Sequence, residues 1–290
     1  MKIAVLGTGA MGARMAARLV ATDGFEVTVW NRSAGRTADL EAAGATVAAT
    51  PAEAVFGADV ALAMLRDDDA SRQVWLGDDG ALAALPQAAV ALECSTITPA
   101  WARELAAAAD ALGVRLLDAP LSGSTPQAEA GALIFFVGGD ADALATAQPV
   151  LDVVGGATHH LGSSGAGAQL KLATNALLAT QVAAVGEIVA MLQGSGLDAA
   201  QAVEVLASTP VMSTAAAGAA RNVAVGKFPL AFALELAVKD LEYARRDAAS
   251  RRPERLPLLD AVTERYRAAV EAGLAQENFT AVAKLYGTED

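Results

Sequence analysis

The aliphatic run Ile3-Ala4-Val5-Leu6 passes directly into Gly7-Thr8-Gly9-Ala10-Met11-Gly12. A GxGxxG in that position fixes three things at once. One glycine makes a tight turn, one lets backbone approach a pyrophosphate, and one lets a helix pack closely on a strand. The anion then sits at a helix N-terminus, where unbonded N–H groups point at it. A strand–turn–helix opening of this kind predicts a parallel βαβ fold with a dinucleotide at the turn; the plain alternative is a glycine-rich turn without a ligand. Gly7, Gly9, Ala10, Met11 and Gly12 are the candidate contacts.

The segments that follow agree. Short β-branched or aliphatic runs at 3–6, 27–30, 47–48, 60–65, 90–93, 115–118, 134–137 and 158–161 alternate with helical stretches such as 12–22, 36–43 and 101–112. Such alternation predicts an α/β domain with a doubly wound, mostly parallel sheet over residues 1–162. From Gly165-Ala166-Gly167 the pattern becomes helical to the end, beginning with one long apolar helix to about Gln193. Helical periodicity continues at 199–207, 216–225, 234–250, 256–272 and 280–286. An all-α second domain over 163–290 is therefore expected. A helix apolar around most of its girth needs cover on every side. A second copy of the chain would supply it, so a homodimer (or tetramer) is predicted.

Composition removes several functions. A formal net charge of -12 with no clustered Lys or Arg argues against nucleic acid. Cys94 is the only cysteine and His159 and His160 the only histidines, so neither a disulfide framework nor a metal site is expected. No stretch reads as a clean membrane span. The nearest, 170–192, carries Lys171, Asn175, Gln181 and Glu187. A cytoplasmic protein with a small-molecule substrate is the expectation.

The end of the second strand discriminates between cofactors. An acidic side chain there favours the nucleotide without a 2′-phosphate, because it repels the phosphate. Here the residues are Trp30-Asn31-Arg32-Ser33, with Arg36 one turn on. Arg32 suits a charge-assisted pair with a 2′-phosphate, and Asn31, Ser33 and Thr37 offer neutral hydrogen bonds. NADP(H) is preferred over NAD(H) on this reading; the plain alternative makes Arg32 and Arg36 ordinary solvated loop cations.

Three downstream segments are polar where the surroundings are not. In Asp118-Ala119-Pro120-Leu121-Ser122-Gly123-Ser124, Ser122 and the N–H groups around Gly123 form a small donor nest suited to a carboxylate. Lys171 and Asn175, four residues apart, share a face near the start of the long helix. Apolar neighbours and the positive helix end predict a lowered Lys171 pKa, as an acid/base group requires. Lys239-Asp240 lies inside a later helix. Taken singly, each has a plain structural explanation: a turn, a snorkelling lysine, a surface pair.

In this order and spacing, the segments resemble the β-hydroxyacid dehydrogenase family, which includes 3-hydroxyisobutyrate dehydrogenases. The likeness spans nearly the whole chain, from Gly7–Gly12 through Asp118–Gly123 and 162–167 to Lys171, Asn175 and Lys239-Asp240. It implies a Rossmann domain joined by a long helix to an all-α domain, the architecture of 6-phosphogluconate dehydrogenase. It makes Lys171 the catalytic acid/base, with Asn175 fixing it or the substrate and Asp240 in support. Ser122 and Gly123 would hold a substrate carboxylate, and Ser95-Thr96 would lie by the nicotinamide ribose, Thr96 also near substrate. Met64 and Leu65 would wall the adenine or ribose side, Lys239 would reach the cofactor, and Phe232 would line the pocket. Within the family the pattern is most similar to the NADPH-dependent glyoxylate and succinic semialdehyde reductases. Imine reductases share the architecture but replace the Lys at 171 and relax the Ser122 region toward apolar residues. Catalytically inactive relatives lose the Lys. Lys171 beside Ser122 separates this chain from both.

Overall fold

The computed structural model describes residues 1–251 and 256–287. Contacts divide the chain into two compact units, Met1–Lys171 and Leu172–Asp290.

The first unit runs β1 (Lys2–Leu6), α1 (Ala10–Val20), β2 (Glu26–Trp30), α2 (Ala38–Ala42), β3 (Thr46–Val47), α3 (Pro51–Ala54), β4 (Val60–Ala63), α4 (Asp68–Leu76), β5 (Val90–Glu93), α5 (Pro99–Asp110) and β6 (Arg115–Asp118). It continues with β7 (Leu121–Ser122), α6 (Thr125–Ala130), β8 (Leu133–Val137), α7 (Ala141–Val154), β9 (Gly155–His160) and the start of α8 (Ala166–Gly194). Six strands form one parallel sheet in the order β3-β2-β1-β4-β5-β6. The order reverses between β1 and β4, which opens a crevice beyond the strands' carboxyl ends, where ligands bind in such sheets. β1, β4 and β5 are buried on both faces, as near-continuous apolar runs require. One core layer packs Met15, Leu19 and Val150 on one side of the sheet. The other packs Trp75, Trp101 and Leu105.

The doubly wound expectation holds for these six strands and needs one correction. The runs at 134–137 and 158–161 do not extend the sheet. They fall in β8 and β9 of a separate three-stranded sheet, β7-β8-β9, in which β7 pairs antiparallel with β8. Ser122, read as a turn residue, is the last residue of β7 and pairs with Ile134. Two residues are too few for any period to show.

The second unit holds the rest of α8, then α9 (Ala199–Ala207), α10 (Thr214–Ala224), α11 (Leu234–Arg251) and α12 (Pro257–Ala269). A π-turn at Val270–Leu274 and a 3-10 helix at Phe279–Tyr286 follow. Its core gathers Val182, Leu234, Leu241, Tyr266 and Val282. The unit boundary falls inside α8. Its first turns belong with the sheet because Asp118 binds them, as described below.

By length and composition alone α8 is long and apolar enough to cross a bilayer, a property that core helices of soluble proteins share. Less than half of its apolar stretch is buried within the chain. Leu177 and Met191 are among its most exposed apolar side chains.

Candidate active site

The glycine turn after β1 has the geometry its sequence implies. Gly7 has φ +96°, and a Cβ there would stand 2.5 Å from the Met64 carbonyl oxygen. A Cβ on Gly12 would lie 2.0 Å from the Gly7 carbonyl oxygen, so only glycine lets α1 start this close to the turn. Gly9 differs, since nothing lies within 4 Å of its hypothetical Cβ. No side chain caps α1 and no acidic residue stands in its first turn. An uncapped helix N-terminus above an open glycine is what a pyrophosphate requires, so the residues present fit a dinucleotide.

The end of β2 is tied to this turn. The Thr8 N–H donates to Asn31 Oδ1 at 3.0 Å, Asn31 Nδ2 donates to the Ser33 carbonyl at 3.0 Å, and the Thr8 hydroxyl donates to the Arg36 carbonyl at 3.1 Å. Thr37 is buried, and its hydroxyl donates to the Ala34 carbonyl. Of the polar groups assigned to a 2′-phosphate, Asn31 and Thr37 are thus engaged in shaping the corner. Arg32, Ser33 and Arg36 are exposed.

Beyond β4 and β5 lies a feature that the sequence reading passed over. Glu93, the last residue of β5, is fully buried. Its Oε2 accepts from Ser71 Oγ at 2.5 Å and Trp75 Nε1 at 2.9 Å, and its Oε1 accepts from the Ser95 N–H at 2.9 Å. Trp101 Nε1 in turn donates to Ser71 Oγ at 2.9 Å. Burial raises the Glu93 pKa above the usual carboxylate range, while hydrogen bonds from Ser71, Ser95 and Trp75 pull it back. Ser95 Oγ accepts from the Leu65 N–H at 2.7 Å, and Met64 and Leu65 are half-buried. Thr96 follows, half-buried, and Thr98 is held through N–H and hydroxyl by the Asp68 carboxylate at 2.8 and 2.7 Å. An acidic residue ending an apolar strand was the available signal, because a buried carboxylate must be caged.

Asp118, the last residue of β6, anchors the long helix. It is buried, and its two oxygens accept from the Gly165 N–H at 2.7 Å and the Ala168 N–H at 2.8 Å. Burial is the largest influence and raises its pKa, against the backbone donors around α8. A Cβ on Gly167 would meet the Phe136 carbonyl oxygen at 2.2 Å, so the glycines before Lys171 serve close packing. Lys171 itself is half-buried rather than enclosed, and the helix's positive end is met by the Asp118 carboxylate. Ser122 is half-buried and Gly123 exposed, with φ +125°. The Ser124 N–H, counted in the donor nest, is taken by Gln127 Oε1 at 2.9 Å in the box that starts α6.

In the second unit, Asn175 Nδ2 donates to Asp240 Oδ2 at 2.6 Å. Lys239 Nζ lies 3.1 Å from Asp240 Oδ1 and 5.0 Å from the Tyr243 ring centre. Asp240 is buried, so Asn175, Lys239 and Asp240 form one polar cluster. Phe232 is half-buried against Phe279, ring centres 5.5 Å apart.

Residues 2–162 match the family described as the NAD-binding domain of 6-phosphogluconate dehydrogenase. Residues 165–286 match that of the NAD-binding region of NADP-dependent 3-hydroxyisobutyrate dehydrogenase. The chain belongs to the β-hydroxyacid dehydrogenase family. It is an NAD(P)-dependent oxidoreductase of the hydroxyacid dehydrogenase and reductase class. An NAD-dependent L-serine dehydrogenase of Pseudomonas aeruginosa is 35% identical, over 98% of this chain and 97% of that protein. Glyoxylate/succinic semialdehyde reductase 2 of Arabidopsis thaliana is 32% identical, over 97% and 78%. Among solved structures, a 3-hydroxyisobutyrate dehydrogenase of Mycobacterium tuberculosis with L-serine has a TM-score of 0.88 and 33% identity, covering 98% of each chain.

Proposed function

We propose that this family member is an NADPH-preferring enzyme acting on a small aldehyde that bears a carboxylate, or on the corresponding 3-hydroxy acid. The observation that carries the reading is the Lys171–Asn175 pair on α8, with Asn175 fixed at 2.6 Å to buried Asp240. A lysine one helical turn from a rigidly held amide suits a general acid/base with a polar group on the same helix face to help fix the substrate. When bound, the nicotinamide supplies or accepts hydride. Lys171 holds the proton that the substrate oxygen needs on reduction and receives it on oxidation. Ser122 and Gly123 bind the carboxylate, and Thr96 lies by the nicotinamide side. Arg32 and Arg36, exposed beside the glycine turn with no carboxylate at the end of β2, support the phosphate-bearing cofactor. Exposed Leu177 and Met191 on α8 support a homodimer, tested by molar mass in solution.

A second reading, oxidation of a serine-like β-hydroxy acid with NAD, is favoured by the 35% identity to the L-serine dehydrogenase. Initial rates decide between them. The panel holds glyoxylate, succinic semialdehyde, tartronate semialdehyde, methylmalonate semialdehyde and a cyclic imine with either reduced cofactor, and L-serine with either oxidised one. The proposal expects a carboxylated aldehyde with NADPH to lead. It expects Lys171→Ala to lose about 100- to 10,000-fold in kcat with cofactor affinity retained. A leading imine, or near-normal turnover without Lys171, would overturn it; L-serine with NAD in front would establish the second reading.

A further inference from the structure

We propose that Glu93 is a positioning residue for dinucleotide binding: its caged carboxylate sets the Ser95–Thr96 turn and, through Ser95, the Met64–Leu65 turn. The inference rests on the reading of these two turns as the cofactor wall. They sit where parallel strands β4 and β5 end, beside the reversal point at which such sheets take their ligands.

The cage is built for an acceptor. The Ser71 hydroxyl, the Trp75 indole N–H and the Ser95 backbone N–H are directed at Glu93. Ser71 is turned to donate because its own oxygen receives the Trp101 N–H. An ionised carboxylate accepts and never donates, so it satisfies all of these at once, whereas an amide presents two donors on one side. Of the two strands paired with β5, β4 ends in apolar Ala63, and β6 ends in Asp118, whose buried carboxylate likewise holds backbone N–H groups. Enclosing a carboxylate, two indole donors and two hydroxyls where apolar packing would serve costs stability unless the polar groups do something else. What they do is hold backbone. Ser95 is gripped at its N–H by Glu93 and at its oxygen by Leu65, and Thr98 is gripped by Asp68. Thr96 is carried between two clamped residues.

The test uses the full chain, with Glu93→Gln and Ser71→Ala beside the parent. NADPH and NADH are titrated by cofactor fluorescence, giving both Kd and the amount bound at saturation. Thermal unfolding is measured on the same samples. If Glu93 positions the turns, Glu93→Gln binds the parent's preferred cofactor about tenfold more weakly but to full stoichiometry, since one buried donor loses its acceptor. Ser71→Ala shows a smaller loss in the same direction. A purely structural role would lower the amount bound, through unfolded protein, and leave Kd unchanged. A parental Kd in folded Glu93→Gln overturns the inference. Should that variant not fold, a parental Kd in Ser71→Ala overturns it equally. A parent that binds neither cofactor removes the underlying reading as well.

Discussion

Asn175 and Asp240 lie 65 residues apart in sequence and are joined by a 2.6 Å hydrogen bond from the Asn175 amide to Asp240 Oδ2. The other Asp240 oxygen faces the Lys239 ammonium at 3.1 Å, and the carboxylate is 3% exposed. Replacing Asp240 by Ala therefore leaves an amide and an ammonium with a lost partner in a mostly dry place. The loss should be about 2–4 kcal/mol, the range for breaking a buried ionic or charge-assisted contact from one side. Asp240→Asn keeps the shape and one acceptor and should lose less. Urea unfolding of both variants checks this. An Ala variant as stable as the parent would show that solvent already satisfies the cluster.

How much of this was legible in the sequence depended on how local each interaction is. The strands at 90–93 and 115–118 were readable to the residue because continuous apolar runs end in turn residues. The turn at Gly7–Gly12 was readable because its spacing is itself the geometry. The short α6 also had a signal, Ser124-Thr125-Pro126-Gln127, a capping box with proline in the first turn, which was passed over. The partners of Glu93 and Asp118 carried no such local sign. Ser71, Trp75 and Trp101 reach Glu93 or its cage from across the sheet unit, and Gly165 and Ala168 reach Asp118 over 47 and 50 residues. Asn31 also ties the corner together, accepting from the Thr8 N–H and donating to the Ser33 carbonyl, a role over 23 residues that has no local sign in the sequence.

Arg32 is exposed at the end of β2, so reversing its charge should leave the fold alone and act on the cofactor. Arg32→Asp removes a charge-assisted partner of about 1.5–3 kcal/mol from a 2′-phosphate and sets a like charge against it. NADPH should then bind more weakly by about 10- to 100-fold or more, with NADH changed little. Cofactor titrations with both nucleotides read the ratio directly. Equal losses for the two would count against a phosphate contact at this residue.

Gly9 and Gly12 separate cofactor binding from folding. A Cβ on Gly12 falls 2.0 Å from a backbone oxygen, which no rotamer change relieves, so Gly12→Ala should cost about 3 kcal/mol or more. A Cβ on Gly9 meets nothing within 4 Å, so Gly9→Ala should unfold within about 1 kcal/mol of the parent. Yet that methyl group occupies the space over the α1 N-terminus, and dinucleotide affinity should fall steeply. Thermal unfolding paired with cofactor titration measures both. Undiminished affinity in Gly9→Ala would move the pyrophosphate elsewhere.

Asp118 sets two effects against each other: burial, which favours the neutral acid, and the N–H groups at the start of α8, which favour the carboxylate. Burial is the larger, and the folded pKa lies above the ordinary one. An acid whose pKa is raised by folding contributes stability that is complete below its unfolded pKa. That contribution is lost as pH rises through the folded value. Asp118→Asn does not titrate and accepts from only one of the Gly165 and Ala168 N–H groups, so it carries a constant offset. The stability of the parent minus that of Asp118→Asn should therefore decline as pH is raised above the ordinary carboxyl range and through the raised folded value. Urea unfolding of both proteins at each pH isolates this one group, because the other carboxyls are common to the pair. A difference that rose with pH would mean that the helix end outweighs burial, and that Asp118 holds α8 as a fixed anion throughout.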